Sequence, residues 1–145
     1  METNFIKQHK DSNTFIIDGS SFFDTPVHLK GNLIVGDNTD FWSDLVVTGS
    51  LELRKSVTIK GSVHAASAII GAHSTIGGGI TTEQDCTVLD HAMIGGNITA
   101  GGDIMLRPNI RAGIVAAAGN IEVTGRVYVK ELRAEQKIIA RKDIL

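Results

Sequence analysis

The chain has 145 residues, long enough for one core without metal or disulfide staples, and its 42% hydrophobic content includes only 5% aromatic residues beside 16 glycines. Such an interior has to be built from small and aliphatic side chains in narrow layers. A net charge of -2 offers no field to gather nucleic acid, and no apolar run reaches the length of a membrane span.

The start Met1-Glu2-Thr3-Asn4 lacks the basic and apolar regions of a signal peptide. Cys86 is the lone cysteine, which excludes an intramolecular disulfide and fits a reducing compartment and a buried thiol. A cytoplasmic protein is therefore expected.

In chain order, residues 1–13 are polar and read as a flexible tail. Thr14-Phe15-Ile16-Ile17-Asp18-Gly19 reads as a first strand, followed by Phe22 and Phe23. Val27, Leu29, Leu33 and Val35 then alternate around Gly31. A Gly/Asp/Asn cluster over 36–43 interrupts the pattern and predicts a loop, which either projects Phe41 and Trp42 or folds both back to seal an end or side.

The motif apolar-x-apolar-x-Gly-x-apolar-x-apolar returns as Leu45, Val47, Gly49, Leu51, Leu53, then as Val57, Ile59, Gly61, Val63, Ala65, and again as Ile121, Val123, Gly125, Val127, Val129. Period two marks strands with one buried face, and glycine at an inward place marks a corner where backbones approach. Anchors at Leu33, Leu51, Ile80, Ile98 and Ile114 are spaced 18, 29, 18 and 16, with Val63 lying 12 beyond Leu51. Spacings near 12 and 18 suggest three six-residue sides per triangular coil.

The fold expected is all-β: a single-domain parallel β-helix over 14–140, with six or seven coils and a short C-terminal end at 141–145. The coil count fits either hand. Residues 130–140 have a composition that suits a helix, but Tyr128, Val129 and Lys130 run into them without a stop signal, so a last coil is preferred.

A solenoid normally covers its end strands, because an open row of N–H and C=O groups templates further pairing. No C-terminal cap is legible. The charge is also uneven, with 6 Lys/Arg against 12 Asp/Glu in residues 1–106 and 8 against 4 in 107–145. End-to-end self-association is expected, through Phe22 and Phe23 at one end and Leu132, Ile138 and Ile139 at the other.

Thr14-Phe15-Ile16-Ile17-Asp18-Gly19-Ser20, Leu29-Lys30-Gly31-Asn32-Leu33-Ile34-Val35 and Gly119-Asn120-Ile121-Glu122-Val123-Thr124-Gly125-Arg126-Val127 resemble the repeats of bactofilins, bacterial polymer-forming cytoskeletal proteins. The resemblance implies a right-handed β-helix that polymerises through its end coils into nucleotide-independent filaments. These would organise cell-shape or envelope proteins as clients, without enzymatic activity or cofactor. It also implies possible membrane association, for which Phe5, Ile6, Lys7 and Lys10 of the tail are the candidate foot.

A second resemblance is local. Ile70-Gly71-Ala72-His73-Ser74-Thr75-Ile76-Gly77-Gly78-Gly79 and Asp85-Cys86-Thr87-Val88-Leu89-Asp90-His91-Ala92-Met93-Ile94-Gly95-Gly96-Asn97 are similar to the hexapeptide repeats of acyltransferases and gamma-class carbonic anhydrases. His73 and His91 are separated by one full coil and should stack one above the other. In an acyltransferase, one of them would be the general base. The carbonic anhydrase needs a third histidine, and His64 lies half a coil away on another face. The glycine runs lack the Lys-Ser/Thr of a phosphate loop.

Overall fold

The computed structural model describes residues 6–142, which contain strands, a 3-10 turn at Lys10–Ser12 and no α-helix. Strand β1 (Ile6–His9) precedes the coils. Coil 1 consists of β2 (Thr14–Ile17), β3 (Phe22–Phe23) and β4 (Val27–Leu29), and coil 2 of β5 (Asn32–Val35), β6 (Asp40–Phe41) and β7 (Leu45–Val47). Coil 3 holds β8 (Ser50–Leu53), β9 (Thr58–Ile59) and β10 (Val63–Ala65), and coil 4 holds β11 (Ser67–Ile70), β12 (Thr75–Ile76) and β13 (Ile80–Thr82).

Coil 5 is β14 (Cys86–Val88), β15 (Met93–Ile94) and β16 (Ile98–Ala100). The last two coils merge their second and third sides into single long strands: β17 (Ile104–Leu106) leads to β18 (Arg111–Ala117), and β19 (Ile121–Thr124) to β20 (Tyr128–Ala134). Strand β21 (Ile138–Arg141) begins an eighth coil.

Equivalent strands stack in parallel, giving three faces. The long face runs β2-β5-β8-β11-β14-β17-β19-β21. The second runs β3-β6-β9-β12-β15 and the third β4-β7-β10-β13-β16, and β18 and β20 continue across both. The chain is thus a parallel β-helix of about seven turns. At ~4.8 Å per coil the rod is about 34 Å long.

The coil is triangular but its sides are unequal. Strands β8, β9, β10 and β11 start at Ser50, Thr58, Val63 and Ser67, so the sides advance by eight, five and four positions rather than six each. The period slips as well: the step from Leu33 to its partner Leu51 is one position longer than the steps from Leu51 to Ala68 and from Ile98 to Val115. Val115 therefore fills the core position expected for Ile114, whose side chain faces outward.

Alternation places every second residue inside. One core column runs Phe15, Leu33, Leu51, Ala68, Cys86, Ile104, Ile121 and Ile138. Residues 36–43 form an ordinary coil side and not a projecting loop. Phe41 is in the core, stacked on Phe23 at 5.0 Å, and Trp42 faces out against Phe22 at 4.8 Å with the Lys60 ammonium 4.2 Å from its ring. The Gly/Asp/Asn residues there serve the corner, with Asn38 left-handed (φ 60).

Two kinds of corner hold the coils in register. In the first, an Asn or Asp side chain accepts the main-chain N–H one coil on: Ser50 N–H donates to Asn32 Oδ1 at 2.9 Å, Asp103 to Asp85 at 2.8 Å, Asn120 to Asp103 at 2.8 Å and Ile114 to Asn97 at 2.9 Å. A glycine of the next coil lies over each accepting side chain, where a methyl group would overlap it, as at Gly49 over Asn32 and Gly119 over Asp103. That packing explains the recurring Gly-Asn and Gly-Asp dipeptides.

In the second kind, one residue per coil adopts the left-handed conformation: Ser20, Asn38, Ser56, His73, His91 and Asn109, all with φ between 57 and 66. Each N–H donates one coil on, as from His73 to the Asp90 carbonyl at 3.0 Å and from His91 to that of Pro108 at 3.1 Å.

Residues 6–13, expected within a flexible tail, include β1, which pairs antiparallel with β2 along its whole length. Their polar sequence gave no sign of a strand, because all four β1 side chains are exposed and main-chain bonds alone form the ladder. The helix considered for 130–140 is absent, and β20 and β21 occupy that stretch.

Candidate functional site

The C-terminal end is built by the last turn of the repeat. Strand β20 pairs only with β18 and β21 only with β19, so their outer edges have no partner strand among the described residues. Leu132 continues the column of Val115, and Ile138 that of Ile121. From Leu33 to Ile121 and from Leu45 to Val115 the members of these columns are buried, whereas Leu132 is half-buried and Ile138 is 52% exposed. Val127, Val129 and Ala134 are likewise half-buried against the core. Among the described residues the core layer is thus open at this end.

Ile139 sits differently. It pairs with Glu122 on the outer side of the long face, so it borders the end without belonging to the core layer. Val127 and Val129 complete that layer and were not among the expected assembly residues, although their alternation with Ile121 and Val123 places them on the inward side.

At the N-terminal end, β3 pairs with β6 and β4 with β7. Phe22 lies on edge strand β3, 36% exposed and edge-on to Trp42. Phe23 differs from expectation: it is buried, 6% exposed, because its stacking on Phe41 commits the ring to the core. Here β1 covers the edge of β2 on the long face, its Lys7 3.8 Å from the Asp18 carboxylate. Of the expected membrane foot, Ile6 is exposed and Phe5 lies outside the described residues.

No family model, curated protein or solved structure matches the chain. Its chemistry is therefore read from its own residues.

His73 and His91 do stack, with ring centroids 4.9 Å apart and planes 3° from parallel. Their column also contains Ser20, Asn38, Ser56 and Asn109, all left-handed, and histidine, like asparagine, is among the residues enriched in that conformation. Backbone geometry accounts for both histidines. Asp90, beside His91, is engaged with Arg107 Nε at 3.3 Å. His64 points outward from β10 on the third face, away from the pair.

Among the described residues no three His, Cys, Asp or Glu side chains converge as a metal site. A groove of about 440 Å³ on the outer long face, bordered by Asn32, Ile34, Glu52, Ile69, Gln84 and Thr87, includes neither stacked histidine. Burial pushes the Cys86 thiol up to about 12, which leaves it a packing group and not a nucleophile. No helix among the described residues is long and apolar enough to cross a membrane.

Proposed function

We propose that the protein is a self-assembling scaffold of the bactofilin kind, whose β-helices join through their end coils into filaments that organise other proteins. The observation that carries this reading is the C-terminal end, where unpartnered strand edges surround an open core layer. An added coil from another copy would take up the N–H and C=O groups of β20 and β21 and cover Leu132 and Ile138. Completing the burial of these two side chains contributes on the order of 1 kcal/mol each, and the new ladder adds to it.

The repeat supports the same reading, because every coil is already a surface made to receive the next. The Gly-Asx corners recur at several levels, and the left-handed column runs from the first coil to the sixth.

Ile138→Asp tests the proposal by placing a charge in the contact while leaving inner coils untouched. Negative-stain microscopy and light scattering should show filaments for the unaltered chain and their loss in the variant, with the β circular-dichroism signal retained. Filaments surviving in Ile138→Asp, or an unaltered chain that stays monomeric as its concentration is raised, would sink the idea.

A further inference from the structure

We infer that β1 is a built-in competitor for the N-terminal docking edge: the C-terminal strands of a second copy can join this end in parallel only where β1 has peeled away from β2. This deepens the self-assembly reading and rests on it.

The argument begins with direction. All the other strand pairs are parallel, and β1 alone runs antiparallel, Ile6 opposite Ile17 and His9 opposite Thr14. A seamless parallel junction extends every face of the rod and so requires the outer edge of β2. That edge is the one β1 occupies. With β1 docked, the long face is closed to an arriving parallel coil. The C-terminal end meets no such obstacle among the described residues.

The second observation is how lightly β1 is held. Its four side chains are all exposed, as are those of the following turn at Lys10–Ser12, so no core burial secures the segment. Its side-chain ties are surface contacts, Lys7 with Asp18 at 3.8 Å, Gln8 with Asn13 at 3.3 Å and His9 Nδ1 with Ser12 Oγ at 3.2 Å. Exposed ion pairs of this kind stabilise little. A short strand without buried side chains is at the low-stability end of local opening.

The third observation is chemical likeness between β1 and the strands it would exclude. Lys7 sets a cation against Asp18, next to the edge of β2, and β21, the strand that would extend this face, is flanked by Lys137 and Lys142. Both offer a main-chain ladder flanked by basic side chains to the edge beside Asp18.

A reversible lock tests this in the full chain. Lys7 and Ile16 are directly opposed and exposed, and opposed Cα atoms in an antiparallel pair lie about 4.5–5.5 Å apart, within disulfide reach. In the double variant Lys7→Cys and Ile16→Cys, oxidation should abolish long filaments and reduction should restore them; buried Cys86 does not compete. Conversely Lys7→Pro, which removes from β1 the ladder donor that faces Ile16, should lower the protein concentration at which filaments appear. Circular dichroism confirms that both variants fold.

Identical assembly of the oxidised and reduced lock, or no shift with Lys7→Pro, overturns the proposal. If the locked protein polymerises normally while Ile138→Asp does not, end-coil assembly stands and only the role of β1 falls. If no form assembles, including Lys7→Pro, both fall.

Discussion

Six corner residues from Ser20 to Asn109 share one backbone conformation, and that conformation rather than any chemistry selects their side chains. The left-handed region costs an ordinary residue about 1–2 kcal/mol, less for Asn and Asp, and is worst for β-branched residues. His73→Asn should therefore leave stability nearly unchanged, whereas His73→Val should lower it by about 1–2 kcal/mol, as read by urea unfolding. Equal stability of the two variants would remove the conformational explanation. The stacking of His73 on His91 was legible from their spacing alone. The reason for histidine was not, because a positive φ leaves its trace only once Ser20, Asn38, Ser56 and Asn109 are aligned with the pair, and the shortened step from Ser56 to His73 hides that alignment.

At the scale of an element, the Gly-Asx corner is a two-part joint. Asp103 receives the Asn120 N–H, and Gly119 leaves room for the Asp103 carboxylate. Asp103→Ala should cost about 0.5–1.5 kcal/mol for the lost acceptor, and Gly119→Ala about 1–3 kcal/mol for overpacking. In denaturant titrations the double variant should be more stable than the two losses summed, since the alanine methyl no longer meets the carboxylate. Strict additivity would refute the joint.

Glycine corners were readable in the sequence, and so were the inward pairs such as Leu51 and Leu53. What misled was the assumption of equal sides: the long advance from the start of β5 to that of β6 made 36–43 look like a loop, although Phe41 is as deeply buried as Leu33. Strand β1 left no hydrophobic signal at all, because none of its side chains enters the core.

For the whole molecule, each interior coil is held by two neighbours and the last by one. Repeat proteins of this kind lose structure from their ends. Hydrogen exchange should therefore be fastest in β1, β20 and β21 and slowest in β8 to β16, and self-assembly should raise the protection of β20 and β21 specifically. A uniform exchange profile along the rod would contradict this order. The end layer was partly legible: the reading of the C-terminal end pointed to Leu132 and Ile138, and Phe23 does lie in the first coil, but its burial was not legible because its aromatic partner, Phe41, comes from the next coil.

The same Gly-Asx joint also bears on how such a rod could change over evolutionary time. Because the upper surface of one level fits the lower surface of any other, copying one repeat's worth of codons within the gene, such as the stretch from Leu33 to just before Leu51, inserts a whole storey and moves no existing contact except at the seam. Height is then an adjustable quantity, set by copy number and independent of the chemistry at either end.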